Sequence, residues 1–157
     1  MPVRYIDQVR HVIYPDQPAY RWSTFETTPW ASLAKPLSQC RIALLSSAGI
    51  HLMDQEPFNT ERDDLSWREI PSTSDPAAFR VAHYSKNATK VEDFNTVLPL
   101  ERLEELRAEG VIASLAPVAF TFMGRIFKRT QLQHEMAPAI ASRLRALDVD
   151  AALLVPV

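Results

Sequence analysis

The stretch LLSSAGIHL combines residue types that can bind a small anion, because an apolar run gives way there to small and polar residues. Ser46 and Ser47 offer two hydroxyl groups, and Gly49 permits a tight turn. His51 follows two residues later, and exposed backbone amides in such a turn can hold a carboxylate. An ordinary connection between a strand and a loop has the same pattern, so both interpretations stay open.

Two histidines and one carboxylate form a second candidate group. His51 and Asp54 are close in sequence, and His83 follows the strand-like segment FRVA. If the two strands are parallel neighbours, both histidines lie at the carboxyl edge of one sheet, where they and Asp54 could hold a metal ion. The sequence has no HxH or HExxH motif, so hydrogen-bonded structural histidines are the simpler interpretation and no metal is predicted.

The cysteine and glycine content excludes several kinds of site. A single cysteine, Cys40, rules out an internal disulfide and the paired thiols of a zinc ribbon. It also lies at the beginning of a predicted strand, away from the edge where open α/β folds do chemistry, so we interpret it as a structural thiol. The three glycines, Gly49, Gly110 and Gly124, are too far apart for a dinucleotide fingerprint or a phosphate-binding loop.

The length and charge of the chain also limit its function. Its 157 residues, 46% of them hydrophobic, suit one globular domain. Seventeen basic and nineteen acidic residues give a net charge of −2, so neither nucleic acid nor an anionic membrane is an expected partner. No run approaches the roughly 20 apolar residues that span a bilayer, and the N-terminus lacks a signal peptide's apolar core. We therefore expect a cytoplasmic protein.

The pattern of apolar segments predicts an α/β fold with a mostly parallel sheet flanked by helices. Residues 42–45 and 151–155 are continuous apolar runs without alternation, which is typical of buried parallel strands. FRVAHY reads as a further short strand, and residues 111–122 as a strand broken at Pro117. Residues 53–76 are polar and without periodicity, which predicts a long loop.

Two amphipathic segments predict the helices. PLERLEELRAEGV has a proline for the first turn, a glycine for the C′ position and leucines on one face, at Leu100, Leu103 and Leu106. The second helix has an apolar stripe that consists of Leu132, Met136, Ile140, Leu144 and Leu147. Pro138 either starts this helix or kinks it.

The chain divides in composition near residue 40. Residues 1–40 are rich in proline and aromatic residues and predict an irregular arm that packs on the core or on a partner. Residues 41–157 contain all the predicted strands and helices and form the α/β domain.

Three segments in a fixed order carry a resemblance to a known family. They are SSAGIHLMDQEPF, DFNTVLPLERLEELRAEGVIASLAPVAFTFMG and DVDAALLVPV. Together they resemble the selenoprotein B family of glycine, sarcosine, betaine and D-proline reductases, including its short proteobacterial relatives. The resemblance runs from about Ile42 to the last residue and does not include the N-terminal arm.

The resemblance implies an oxidoreductase subunit that cleaves a C–N bond of a small amine or amino-acid-like substrate. A selenolate, or a thiolate in cysteine versions, attacks the carbon that bears the amino group. The resemblance also implies a partner subunit whose pyruvoyl group activates the amine, and a thiol or selenol protein as reductant. It implies no cofactor in this chain itself.

In this family the selenocysteine or cysteine comes directly after the strand that reads LLVPV here, and the sequence has no residue at that position. Because UGA encodes selenocysteine and is commonly read as stop, we expect a chain truncated just after Val157, with no catalytic residue of its own. Its uncovered apolar surface would favour a homo-oligomer. The resemblance assigns substrate binding to residues that match the family's turn and the following strand: Ser46, Ser47, Gly49, His51 and His83.

Two further functions stay open. A non-catalytic binding or assembly subunit could use the same turn to hold a small carboxylate. A metal-dependent hydrolase could use His51, Asp54 and His83.

Overall fold

The computed structural model describes residues 15–16, 26–28, 30–85 and 89–157. The chain divides into two units, Met1–Ser32 and Leu33–Val157, and every strand and helix named below lies in the second. Most of the predicted arm, residues 1–40, lies outside the described residues, and its last part, residues 33–40, belongs to the larger unit.

The described chain alternates short strands with helices. The strands are β1 (Arg41–Ser46), β2 (Ile50–Leu52), β3 (Arg68–Pro71), β4 (Phe79–Val81), β5 (Ser114–Leu115), β6 (Val118–Thr121) and β7 (Ala151–Val155). The helices are α1 (Leu100–Ala108), α2 (Arg129–Gln131) and α3 (Ala137–Ala146), with the π-helical Leu132–Met136 between the last two. Single turns of 3-10 helix cover Leu37–Gln39, Pro76–Ala78 and Phe94–Thr96.

β1 is the central strand of the main sheet. On one side it pairs in parallel with β5 and β6, which are interrupted at Pro117 as predicted, and on the other side in parallel with β7. β3 adds an antiparallel strand outside β6. The predicted α/β class with a mostly parallel sheet is therefore confirmed.

The alternating side chains of β1 contribute to two hydrophobic cores, one on each face of the sheet. Ile42 and Leu44 pack with α1 and the β2–β4 pair, whereas Ala43 and Leu45 pack on the side of Met136 from the second helix. With both faces covered, the last five residues of β1 are buried, and this explains its continuous apolar run.

The prediction that residues 151–155 form a buried strand is wrong in one respect. β7 does pair with β1, from Ile42 opposite Ala151 to Ser46 opposite Val155. However, Leu153 is 41% and Leu154 66% exposed, because β7 pairs on one side only within the described residues. A continuous apolar run does not distinguish a central strand from an edge strand.

FRVAHY contains the predicted strand β4, but this strand is not a parallel neighbour of β1. It pairs antiparallel with β2 in a separate two-stranded sheet, in which His51 is opposite Arg80. The turn at Gly49 takes the chain out of the main sheet directly after β1. The condition under which His51 and His83 would share the edge of one parallel sheet is therefore not met.

The polar segment of residues 53–76 is not wholly a loop. It contains β3, whose residues pair with β6 from Arg68 opposite Thr121 to Pro71 opposite Val118. Only Ile70 of this strand is buried, so the hydrophobic pattern was too short to indicate a strand. Its pairing depends on β6, which is distant in sequence.

Both predicted helices are present. In α1, Leu100 and Leu103 are buried, and Gly110 has a φ of 75° at the C′ position. In the second helix, Met136 and Ile140 are buried, and Pro138 lies in the first turn of α3, directly after the π-helical segment. Among the described residues, no helix has both the length and the apolar character needed to cross a bilayer.

Candidate functional site at the carboxyl edge of the sheet

The end of β7 and the turn after β1 meet at the carboxyl edge of the main sheet. The Ser47 amide donates to the Val155 carbonyl at 3.1 Å. The Ser47 hydroxyl accepts a hydrogen bond of 2.8 Å from the Val157 amide. Because Ser47 is half-buried, this contact lies next to solvent. Open α/β folds place their reactive groups at such an edge.

The backbone amides of the turn are already occupied. Besides the Ser47 amide, the Ala48 amide donates to Ser46 Oγ at 3.2 Å, and the Gly49 amide to the Phe122 carbonyl at 2.9 Å. The amides of Ser47, Ala48 and Gly49 are therefore not free to hold a carboxylate, which favours the interpretation of this stretch as an ordinary connection. The carbonyls of Val155 in β7 and of Phe122, directly after β6, accept from two of these amides, and the Ser46 side chain accepts from the third.

Two of the predicted site residues have their polar groups bonded within the fold. Ser46 is fully buried, and its hydroxyl donates to the Val97 carbonyl at 2.6 Å. His51 is also buried, and its Nδ1–H donates to the Leu52 carbonyl at 2.8 Å. These bonds join the end of β1 to the segment before α1 and fix the His51 ring on β2.

Gly49 brings His83 next to the turn although β4 is not part of the main sheet. Gly49 has a φ of 66°, and a Cβ built on it would lie 2.2 Å from the Ala82 carbonyl oxygen. The Ala82 amide donates to the Gly49 carbonyl at 2.9 Å. Only glycine allows this approach, which holds residues 82 and 83 against the turn.

His83 has a buried donor without an acceptor in the described part of the chain. The residue is 6% exposed, and its Nδ1 accepts a hydrogen bond of 3.2 Å from the Ser85 amide. The proton of the neutral ring is therefore on Nε2, which is buried and has no partner among the described residues. Burial lowers the pKa of His83 and favours this neutral form.

Three residues that the sequence did not single out complete the edge. The Gly124 amide donates to the Ser47 carbonyl at 3.0 Å, and the next residue is Arg125. The Arg125 guanidinium lies 5.5 Å from the ring centroid of Tyr84, and the Tyr84 ring packs at 4.6 Å on the ring of His83. The position of Arg125 directly after a strand-like segment that ends in glycine was the signal for it.

The residues of this edge are linked by successive contacts. Ser47 bonds Gly124 and Val157, and Gly49 packs on the backbone of Ala82, directly before His83. The Tyr84 ring lies next to both the His83 ring and the Arg125 guanidinium. We use the term carboxyl-edge cluster for Ser47, Gly49, His83, Tyr84, Gly124, Arg125 and Val157.

Two other predicted features lie elsewhere. Asp54 is exposed in the turn after β2, and the described residues contain no group of three His, Cys, Asp or Glu side chains that could hold a metal. The hydrolase interpretation therefore has no support. Cys40 is buried directly before β1, and its thiol donates to the Pro36 carbonyl at 3.3 Å, as expected for a structural thiol.

A cleft of about 400 Å³ lies apart from the carboxyl-edge cluster, between the segment after β3 and the first turns of α1. Its floor is apolar, with Phe79 and Phe94, and its rim carries Glu101, Glu104 and Glu105. Glu104 is paired with Arg107 and Glu105 with Arg102, so these charges are compensated locally. None of the predicted site residues lines this cleft.

Comparison with known proteins gives one family. The family described as glycine/sarcosine/betaine reductase selenoprotein B matches residues 15–157. The D-proline reductase subunit gamma of Acetoanaerobium sticklandii is 32% identical over 126 residues, which cover 80% of this chain and 52% of that protein. The chain thus spans about half the length of the curated relative that it matches. No solved structure matches the chain.

Proposed function

Because the chain belongs to the glycine/sarcosine/betaine reductase selenoprotein B family, we propose that it forms part of a reductase subunit. The substrate is a small amine or amino-acid-like molecule, and the reaction is the reductive cleavage of its C–N bond. The reacting centre lies at the carboxyl-edge cluster.

The main support for this proposal is the hydrogen bond of 2.8 Å that the Val157 amide donates to the Ser47 hydroxyl. This bond directs the chain that leaves β7 to the carboxyl edge, beside the turn after β1. A selenocysteine or cysteine that follows Val157 in a longer chain would therefore lie next to Ser47 and Gly124. That is the place where an open α/β sheet presents its reactive groups.

The proposed reaction needs a soft nucleophile and an activated amine. The selenolate or thiolate forms a bond to the substrate carbon, and the C–N bond breaks with its electron pair on nitrogen, which takes up a proton. A second thiol or selenol, from a reductant protein, then attacks this selenium or sulfur, and the substrate carbon leaves with the electron pair and is protonated. A pyruvoyl group on a partner subunit would withdraw electrons from the C–N bond.

The residues of this chain bind and position the substrate in this proposal. His83 stays neutral because burial lowers its pKa, so its Nε2–H donates a hydrogen bond to the substrate and does not transfer its proton. Ser47 fixes the end of β7. The turn itself is held in place by Ser46, Gly49 and His51, which in this proposal do not contact the substrate.

The amides of residues 47–49 all donate within the fold, so they do not favour the alternative of a non-catalytic subunit that holds a small carboxylate in this turn.

The coding DNA beyond Val157 gives the first test. A selenocysteine (UGA) or cysteine codon directly after Val157, within an open frame, supports the proposal, and any other codon at that position contradicts the placement of the nucleophile.

The second test is reductive cleavage. The protein extended through that frame, with cysteine for selenocysteine, is combined with the pyruvoyl-bearing partner, a dithiol and glycine, betaine or D-proline. We expect amine release or ring opening that is lost when the new cysteine is replaced by serine and is unaffected by Cys40→Ser. Cleavage by the 157-residue chain alone would refute the proposal.

A further inference from the structure

Arg125 forms no ion pair with an Asp or Glu of the described residues. Its guanidinium lies 5.5 Å from the ring centroids of both Tyr84 and Phe127. The two rings hold the guanidinium by cation–π contact, and its N–H donors have no acceptor among the described residues.

The nearby acidic side chain among the described residues forms no ion pair with Arg125. Asp63 is the acidic residue bonded to this segment, and its Oδ2 accepts from the amides of Phe127 at 3.1 Å and Lys128 at 2.9 Å. Asp63 therefore fixes the backbone after Arg125 and forms no ion pair with the guanidinium. Lys128 adds a second positive charge to the same segment, which favours an anionic ligand.

His83 supplies a second, independent donor beside the same aromatic ring. His83 is more than nine-tenths buried, and its Nε2–H has no acceptor among the described residues. Tyr84 contacts both this ring and Arg125, so the two unused donors flank one aromatic side chain. A buried donor without an acceptor costs free energy that a bound acceptor recovers.

We propose that Arg125 binds the carboxylate of a small substrate, and that His83 Nε2–H donates to an oxygen atom of the same carboxylate. The planar guanidinium matches a carboxylate through two parallel hydrogen bonds. Gly124, which contacts Ser47, sets Arg125 beside the end of β7. This inference rests on the proposed function and names a carboxylate as the group by which the substrate is held.

Calorimetric titration of the 157-residue protein with betaine and D-proline, and with their carboxamides, tests the proposal. We expect the carboxylates to bind at least about tenfold more tightly than the carboxamides, because the neutral carboxamides cannot form the charge-assisted hydrogen bonds with Arg125. Arg125→Gln should weaken carboxylate binding about 10- to 100-fold. The carboxylate affinity of Arg125→Lys should lie between those of the unchanged protein and Arg125→Gln, because lysine keeps the charge but cannot form two parallel hydrogen bonds. His83→Gln should weaken binding of carboxylate and amide alike.

Arg145→Gln is the matched control, since Arg145 is an exposed arginine on α3, away from the carboxyl edge, and should leave binding unchanged. Absence of carboxylate binding, or equal binding by Arg125→Gln and the unchanged protein, would overturn the inference. So would a variant that binds carboxylates normally but fails to associate with the partner subunit, because Arg125 would then be a docking residue. Carboxylate binding that depends on Arg125 without reductive cleavage in the extended protein would instead reject the reductase proposal alone.

Discussion

Replacement of Gly49 by alanine should destabilise the protein and disturb the candidate site together. Gly49 has a φ of 66°, and its missing Cβ would lie 2.2 Å from the Ala82 carbonyl oxygen and 3.0 Å from the Ala82 carbonyl carbon. Both atoms belong to backbone, so no side chain can rotate away from the new methyl group. The segment that carries His83 must move by roughly 1 Å to restore a normal contact.

Two terms contribute to the cost of Gly49→Ala. A non-glycine residue in the left-handed region costs about 1–2 kcal/mol. Overpacking at a buried site adds about 1–3 kcal/mol. The free energy of unfolding should therefore fall by about 2–5 kcal/mol.

Gly110→Ala is the matched control for this change. Gly110 also has a positive φ, of 75°, but a Cβ built on it has no atom within 4 Å. It should cost only the conformational term of about 1–2 kcal/mol. The difference between the two variants therefore isolates the contact between Gly49 and Ala82.

Urea unfolding of both variants, followed by tryptophan fluorescence, measures this difference. The denaturation midpoint should fall further for Gly49→Ala, with the slope unchanged. In Gly49→Ala, the NMR resonances of the His83 ring should also shift. Equal midpoints for the two variants, or an unshifted His83 ring, would refute the close packing of residues 82 and 83 on the turn.

Three further outcomes are expected. Burial lowers the pKa of His83 below its ordinary value of 6.5, so the native state binds fewer protons than the unfolded chain as the pH falls through this range. The contribution of His83 to the free energy of unfolding is therefore complete above pH 6.5 and is lost as the pH falls towards the folded pKa. Urea unfolding at about pH 7.5 and about pH 5 should show this loss, and an equal loss in His83→Gln would contradict it. The apolar edge strand β7 should make the chain self-associate at micromolar concentration, and Leu154→Lys should reduce the mass found by light scattering; a clean monomer before the substitution would oppose this. The buried Cys40 thiol should react with iodoacetamide far more slowly in the native protein than in urea, and equal rates would contradict its burial.

The sequence predicted which segments form strands and helices more reliably than it predicted which strands lie next to each other. The apolar run of β1 and the leucine face of α1 are local patterns, and both were identified correctly. The exposure of Leu154 depends on whether another strand lies beyond β7, and the strand β3 exists because it pairs with β6. The local hydrophobic pattern contains neither kind of information about neighbouring strands.

The candidate site shows the same limit. The small-residue turn was correctly located after the first strand, but two of its amides donate to the carbonyls of Phe122 and Val155, which lie more than 70 residues later in the sequence. His83 reaches the turn through the backbone contact at Gly49 and not through the parallel pairing that was considered. Arg125 was not singled out, because its position beside Tyr84 and Phe127 depends on how the chain folds.

The reactivity of a thiol placed directly after Val157 tests whether a nucleophile at this position lies beside the carboxyl-edge cluster, where the positive charge of Arg125 would favour its anionic form. In a Cys40→Ser background, one cysteine and a short glycine–serine tail are added after Val157, and its alkylation by iodoacetamide is followed from about pH 5 to about pH 9. The control is Ala113→Cys in the same background, because Ala113 is exposed and its amide bonds the Cys40 carbonyl, at the amino end of β1. We expect the added thiol to ionise at a lower pH than the control thiol, and Arg125→Gln to remove the difference. Identical pH profiles for the two thiols would show that the end of β7 does not bring a nucleophile to the carboxyl-edge cluster.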